Sequence, residues 1–198
     1  MFGKKNVRIF ILVLSVMTFV FLAGGQVFAA TSAAKQKKMV SKIRQDYINY
    51  ALSLQGVPYV YGGKTPRGFD CSGFVKYSIR EGLKDYMTVE NEKAFASILK
   101  ARSAQEFYDV CSHINEHERE PGDLIFFTNG TRVNHIGIYL GKYHSVSGKN
   151  PDLEGKRVFI SAVSDGPKTG VVIRPIDERY WKSHFYGYGR FLGKSQSK

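Results

Sequence analysis

The stretch Gly68-Phe69-Asp70-Cys71-Ser72-Gly73-Phe74 decides the interpretation of this chain of 198 residues. Aspartate is a favoured N-cap residue, so Asp70 predicts the start of a helix, and Cys71 then lies in its first turn. Apolar residues follow at helical spacing on the same face as the cysteine: Phe74, Val75, Ile79 and Leu83. The stretch therefore predicts an amphipathic helix that begins with a cysteine.

A cysteine at the start of a helix has two chemical advantages. The unsatisfied backbone N–H groups and the positive end of the helix dipole favour a thiolate and lower the thiol pKa. The same N–H groups can hold the oxyanion that forms when a thiolate attacks a carbonyl carbon. The charge of Asp70 opposes the first effect unless capping occupies its carboxylate. By position alone, Cys71 is equally consistent with a nucleophile and with a buried, unreactive thiol.

Upstream and downstream of this stretch the sequence has helical patterns. Apolar residues at spacings of three and four predict a helix from Val40 to about Leu54. Polar, helix-prone sequence predicts two short helices, around residues 92–100 and 103–111.

The second half of the chain has the pattern of strands. From Pro121 onward five strands are predicted, over residues 123–128, 134–140, 157–163, 170–174 and 186–192. Asn129-Gly130 predicts a hairpin between the first two of them. Helices followed by antiparallel strands indicate an α+β fold.

Residues 1–29 have the pattern of a signal peptide. Three basic residues precede an apolar run over 9–22, and small residues lead to a predicted cleavage after Ala29. An uncleaved anchor is the alternative, but the run is shorter than the ~20 residues of a spanning helix. Residues 30–39 are predicted to be a flexible lead-in and 40–198 one domain. We therefore expect a secreted or periplasmic protein with no stable membrane anchor after cleavage.

The charge and the cysteine content narrow the classes of partner and site. There are 29 Lys and Arg against 17 Asp and Glu, a net charge of +12, and loss of the three basic residues of the signal peptide leaves +9. This charge favours an acidic partner, but no nucleic-acid-binding motif accompanies it, so no nucleic acid is predicted. Two cysteines are too few for a disulfide scaffold. Cys111, His113 and His117 lack a fourth ligand at a matching spacing, so no metal is predicted.

His135 is the candidate base for Cys71. It lies near the beginning of the predicted strand 134–140, where a histidine is more often structural than catalytic. It becomes a general base only if the fold brings it next to the cysteine.

Four motifs, taken together, resemble the NlpC-type family of cell-wall cysteine peptidases in the papain-like superfamily. They occur in this order: Tyr59-Val60-Tyr61-Gly62-Gly63, Asp70-Cys71-Ser72-Gly73-Phe74-Val75, Pro121-Gly122-Asp123-Leu124-Ile125-Phe126-Phe127 and His135-Ile136-Gly137-Ile138-Tyr139-Leu140-Gly141. The Asp-Cys-Ser-Gly-Phe and His-Ile-Gly-Ile-Tyr-Leu strings are specific as a pair. The resemblance extends over about residues 40–193.

The resemblance implies a fold and a set of site residues. The fold would be a cysteine-bearing helix packed on a small antiparallel sheet of five to six strands. Cys71 would be the nucleophile and His135 its base, without a cofactor. Tyr59, Ser72 through its backbone, and Asp70 would line the substrate and oxyanion site, although Tyr59 is equally consistent with a core aromatic residue. A Cys71–Cys111 disulfide would block the nucleophile, so the resemblance favours a buried, free Cys111.

The sequence departs from the family pattern at the third catalytic position. The family usually has a histidine there, which orients the base, and the matching residue in this chain is Ser161. Ser161 could orient the base more weakly, His144 or Asn134 could replace it, or catalysis could be reduced or lost. Residues 85–100 and 142–156 are insertions, and the second either borders the cleft or is a tolerated surface loop.

By resemblance, the predicted function is that of an exported cysteine endopeptidase. Its substrate would be the stem peptides of peptidoglycan, cleaved at the γ-D-glutamyl–diamino acid bond or at a cross-link. The alternatives are a catalytically weak or inactive peptidoglycan-binding relative and a papain-like amidase or acyltransferase. Peptidoglycan or its peptide fragments are the expected partner, and the protein is expected to be a monomer.

Overall fold

The computed structural model describes residues 34–87, 92–145, 150–166 and 168–192. The predicted signal peptide and its cleavage site lie outside the described residues. Contacts within the chain divide it into a unit of residues 1–41 and a unit of residues 42–198. Within the described part of the chain, no helix combines the length and the apolar character that crossing a membrane requires.

Five α-helices are described. The first, α1, is helical over residues 34–53. It includes residues 34–39, for which a flexible lead-in was predicted; alanine, lysine and glutamine are strong helix formers there. The remaining helices are α2 (Cys71–Gly82), α3 (Glu92–Lys100), α4 (Ala104–Val110) and α5 (Arg179–His184).

The strands form a two-stranded hairpin and a six-stranded sheet. In chain order they are β1 (Lys64–Thr65), β2 (Gly68–Phe69), β3 (Ser112–Ile114), β4 (Leu124–Thr128), β5 (Val133–Lys142), β6 (Arg157–Val163), β7 (Gly170–Pro175) and β8 (Phe185–Arg190). The hairpin pairs β1 with β2, and the larger sheet has the order β3-β8-β4-β5-β6-β7 with every pair antiparallel. The predicted α+β class and the sheet of five to six strands are confirmed. The hairpin, β3 and α5 were not predicted.

The two faces of the six-stranded sheet have different cores. On one face, apolar residues of α2 such as Phe74 and Ile79 are fully buried together with Ile136 and Ile138 of β5. The other face has a smaller, mainly aromatic cluster: Ile125, Phe127, Tyr139, Phe159, Val163, Trp181 and Tyr188. Burial of apolar surface on both faces makes β5 a central, well-fixed strand.

A buried ion cluster fixes the beginning of β4. Asp123 is 1% exposed and accepts hydrogen bonds from Arg44 of α1 (Nη1, 2.9 Å) and from Arg190 of β8 (Nε, 2.9 Å; Nη2, 2.7 Å). The backbone N–H of Glu120 also donates to it, at 2.7 Å. One carboxylate therefore ties a helix, a loop and two neighbouring strands together.

Candidate active site

The first turn of α2 is fixed by its cap. The Asp70 carboxylate accepts a hydrogen bond from the backbone N–H of Gly73 at 2.6 Å, so it is the N-cap that the sequence predicted. The hydroxyl of Ser72 lies 2.9 Å from the same carboxylate oxygen and 3.1 Å from the carbonyl of Arg102. Capping thus occupies Asp70 and holds Cys71 at the first position of the helix.

The helix start is pressed closely against the glycine-rich turn that precedes β1. A Cβ atom on Gly73 would lie 2.1 Å from the carbonyl oxygen of Gly63, so only glycine fits there. The same carbonyl accepts a hydrogen bond from the backbone N–H of Asp70 at 3.1 Å. This close contact sets the position of the cysteine relative to the turn that follows Tyr59.

Cys71 and His135 open onto the same cleft, whose volume is about 440 Å³. Tyr59, Asn134, Arg174 and Trp181 are among the other residues that line it. The fold therefore brings His135 into one cleft with Tyr59 and Cys71, from which it is far apart in the sequence. Asp70 and Ser72 support the cysteine from within the helix start.

Burial raises the pKa of the Cys71 thiol to about 11, and the nearby charge of Asp70 acts in the same direction. Backbone hydrogen bonds at Ile136 and Ser72 stabilise the thiolate and lower the pKa in part. The bond at Ile136 also locates the sulfur beside the residue that follows His135. Cys71 is therefore a protonated thiol at neutral pH, because burial and Asp70 outweigh the effect of the helix start on its pKa.

The imidazole of His135 is packed among aromatic rings. Its centroid lies 5.0 Å from that of Trp181, with an angle of 32° between the planes, and 5.8 Å from that of Phe127. The ring is partly exposed as a whole, but Nε2 is buried and has no hydrogen-bond partner among the described residues. Burial lowers the pKa of His135 to about 4, so the imidazole is neutral at pH 7.

Ser161 does not hydrogen-bond to His135. Its hydroxyl is fully buried and donates to the backbone carbonyl of Ile136 at 2.6 Å, so of the three possibilities left open, this contact does not support Ser161 as the orienting residue. The hydroxyl therefore uses its hydrogen on the backbone of β5, the strand that carries His135. Of the two alternatives, His144 lies 2.9 Å from Glu154 outside the residues that line the cleft, whereas Asn134 lines the cleft beside His135.

Replacing Ser161 by alanine is expected to affect stability more than activity. Loss of the hydroxyl leaves the buried carbonyl of Ile136 without this donor and lowers the free energy of unfolding by about 1 kcal/mol. Because the hydroxyl does not touch His135, any hydrolytic rate should change less than about threefold, which corresponds to under 1 kcal/mol. Urea unfolding and initial rates check the two effects, and a rate loss of 100-fold would contradict this placement.

The other sequence candidates lie elsewhere. Cys71 and Cys111 are both free thiols, and Cys111 is buried at the end of α4. His113 stacks on Tyr108, and the described residues contain no cluster of three or more His, Cys, Asp or Glu able to hold a metal. No described residue of the insertions 85–100 and 142–156 lines the cleft.

The two pKa shifts predict how the thiol reacts with pH. A thiol with a raised pKa is protonated at neutral pH, so alkylation of Cys71 by iodoacetamide should accelerate about tenfold per pH unit from pH 7 to pH 10. A preformed ion pair with protonated His135 would instead give a rate that is flat from pH 6 to 9. Mass spectrometry of labelled Cys71 peptides measures the profile, and such a plateau would contradict the neutral pair.

A known protein family covers the part of the chain that contains the cleft. The profile of the NlpC/P60 family matches residues 56–190, which is more than half of the chain and includes both Cys71 and His135. The chain belongs to the NlpC/P60 family. The resemblance stated from the four sequence motifs is thereby confirmed.

Several relatives with named activities are similar in sequence. The chain is 33% identical over 139 residues to gamma-DL-glutamyl hydrolase of Bacillus subtilis (69% of this chain, 26% of the relative). It is 33% identical to the bifunctional muramidase/DL-endopeptidase CwlT of the same species (71% and 34%) and 31% identical to murein DD-endopeptidase MepH of Escherichia coli (83% and 52%). The chain thus spans about a quarter to a half of the length of these relatives.

Solved structures show the same NlpC/P60 fold. An NLP/P60 family protein of Staphylococcus aureus matches with a TM-score of 0.53 at 30% identity, over 77% of this chain and 42% of that one. The peptidoglycan hydrolase RipB of Mycobacterium tuberculosis matches in fold, with a TM-score of 0.53 at 23% identity over 78% and 67%.

Proposed function

We propose that this NlpC/P60 chain is an exported cysteine endopeptidase that hydrolyses amide bonds in the stem peptides of peptidoglycan. The observation that supports it most is the shared cleft of Cys71, at the start of α2, and His135, at the start of β5. A thiol, an imidazole and backbone N–H groups at a helix start are the groups that acyl transfer requires.

The mechanism follows from the neutral resting state of the two groups. His135 accepts the thiol proton as the sulfur of Cys71 attacks the scissile carbonyl, because neither group is ionised beforehand at pH 7. Backbone N–H groups at the start of α2 hold the oxyanion. His135 returns the proton to the leaving amine, and an acyl-enzyme remains on Cys71. Water then gives a proton to His135, attacks the thioester and releases the carboxylic acid and the thiol.

The position of His135 depends on aromatic packing in this chain. The third catalytic residue of the family pattern is absent, and Ser161 is bonded to Ile136 instead. The contacts of His135 with Trp181 and Phe127 limit the rotation of the imidazole without a polar partner. We infer that Trp181 substitutes in part for the missing residue by holding the ring.

The names of the relatives support peptidoglycan as the substrate class. They are consistent with two different scissile bonds. One relative is named a DL-endopeptidase and another a DD-endopeptidase. These names fit cleavage next to D-glutamate and cleavage of a cross-link. Export, to the outside or to the periplasm, rests on the sequence pattern of residues 1–29.

Digestion of purified peptidoglycan tests the proposed function. The protein is incubated with intact wall and with defined stem peptides, and the released fragments are identified by mass spectrometry. Fragments cut within the stem peptide are expected, and their masses distinguish the γ-D-glutamyl bond from a cross-link. Release of the intact stem peptide from the sugar would instead identify an amidase, and transfer of the acyl group to an added amine would identify an acyltransferase.

A non-catalytic wall-binding protein is the second candidate. It is favoured by one observation, the buried Nε2 of His135 without a hydrogen-bond partner among the described residues. Such a protein would cosediment with peptidoglycan and release no fragments. The digestion described above separates the two functions directly.

A further inference from the structure

Arg174 is a buried cation that faces the active-site cleft. It lies on the edge strand β7, is 9% exposed and lines the same cleft as Cys71 and His135. Its Nη2 donates to the backbone carbonyl of Lys168 at 2.8 Å, whereas Nε is buried without a hydrogen-bond partner. Among the described residues, no carboxylate lies within ion-pairing distance of it. Arg174 is therefore a guanidinium without an anionic partner in this part of the chain.

A second arginine that is buried in the described part of the chain has an anionic partner. Arg44, at 6% exposure, is paired with Asp123 at 2.9 Å. A buried charge without a partner costs several kcal/mol, which a protein avoids by pairing or by leaving the charge in water. Arg174 has no such partner among the described residues, and it lines the cleft, so an anion that enters the cleft would complete its surroundings.

The backbone around Arg174 directs the guanidinium toward the catalytic end of the sheet. Register pairs Arg174 with Phe159, which places it on the aromatic face that also holds Trp181. Its head lies under the turn after β6, where a Cβ on Gly166 would come within 3.0 Å of Nη2. Gly166 has φ +101°, a conformation that favours glycine, and the absence of a side chain there leaves room for the guanidinium.

The other charges around the cleft favour Arg174 as the place where a substrate carboxylate binds. Asp165 and Glu178 also line the cleft, and neither forms an ion pair with Arg174. They repel a substrate carboxylate from their own surroundings, which leaves the guanidinium as its favourable position. A peptide carboxylate is the anion that a peptidase cleft would meet most often, and arginine binds it in a planar, directional geometry.

We propose that Arg174 binds a carboxylate of the substrate peptide and selects stem peptides in which that carboxylate is free. This inference rests on the proposed function, since it names a group of the same substrate. Two carboxylates have the required chemistry: the α-carboxylate of γ-linked D-glutamate and the terminal carboxylate of the peptide. Stem peptides amidated at the relevant group would bind poorly.

A binding experiment in the Cys71→Ala background tests the proposal without turnover. Isothermal titration compares L-Ala-γ-D-Glu-L-Lys with two analogues, one amidated at the glutamate α-carboxylate and one amidated at the C-terminus. We expect one of the two amides to bind about 10- to 100-fold more weakly than the acid. The position of that amide identifies the carboxylate that Arg174 binds. The additional change Arg174→Gln should weaken binding of the acid by a similar factor. It should leave the affinity for the corresponding amide unchanged.

Two variants separate recognition from folding. Arg174→Lys keeps the charge but not the planar fork, so it should recover part of the affinity. Arg132→Gln, in the exposed β4–β5 hairpin outside the cleft lining, should have no effect. Equal affinity for the acid and both amides, or no measurable binding of any of the three, would overturn the proposal. The proposal would also be overturned if Arg174→Gln lowered the affinity for the acid and for the amide equally, whether or not the Tm falls.

The outcome is independent of the digestion experiment. Acid-selective binding that depends on Arg174, together with no fragment release by the wild-type protein, would reject the endopeptidase and retain the carboxylate site. Fragment release without acid-selective binding would retain the endopeptidase and reject the carboxylate site.

Discussion

Replacing Cys71 by alanine is expected to lower fragment release from peptidoglycan by about 10⁴-fold or more, to the background of the assay. The sulfur is the atom that forms the acyl-enzyme, and no other nucleophilic side chain at the start of α2 can take its place, because the Ser72 hydroxyl is bonded to Asp70 and Arg102. Initial rates from mass spectrometry of the soluble fragments measure the loss.

The second thiol of the chain provides the matched control. Cys111 lies at the end of α4, outside the lining of the cleft. Cys111→Ala should therefore retain the wild-type rate, while its Tm falls slightly because a buried sulfur is lost. If the Cys71→Ala protein still released fragments at a rate near that of the wild type, the proposed mechanism would have to be abandoned.

The largest effect on stability is expected for Asp123→Asn. This change keeps the shape of the side chain but removes the charge that Arg44 and Arg190 share. Among the described residues, the change leaves Arg44 and Arg190 with only the exposed carboxylate of Glu120, at 3.5 and 3.4 Å, and we expect the free energy of unfolding to fall by about 3–5 kcal/mol. Urea unfolding followed by circular dichroism, at constant pH and ionic strength, gives the value.

An exposed ion pair shows whether burial is the cause. Arg80 and Glu81 form a contact of 2.8 Å in which both side chains are partly exposed, so Glu81→Gln should cost only about 0–1 kcal/mol. Similar losses for Glu81→Gln and Asp123→Asn would show that the buried cluster has no special weight in the stability of this fold.

The sequence was sufficient for the elements whose pattern is local. The capping aspartate and the apolar face predicted α2, and β6 was predicted at its observed limits, 157–163. In both cases the residues that form the element also supply the burial that stabilises it. Long periodic segments therefore determined the α+β class.

The missed elements depend on the rest of the fold. Strand β3 has three residues and exists because it pairs with β8, and the two-residue strands of the β1–β2 hairpin are held by the start of α2. Helix α5 has six residues, of which Trp181 is buried. Segments this short have no period of their own that a sequence pattern could detect.

The sequence predicted candidate residues for the site but not the contacts that hold them in place. Cys71 and His135 were identified because their motifs are specific as a pair, and the fold brings them to one cleft. The role of Ser161 could not be judged, because its hydroxyl has a backbone acceptor that only strand pairing provides. Arg174 and Trp181 were missed for the same reason: their relation to the cleft arises from register and packing.

The packing of Trp181 also has a practical consequence. The chain contains one tryptophan, and it lies against the imidazole of His135 and lines the cleft. All of the indole fluorescence of the protein therefore originates at the active site. A peptide that enters the cleft changes the polarity around that ring, so its arrival can be followed by emission in real time, without a label and on unmodified protein.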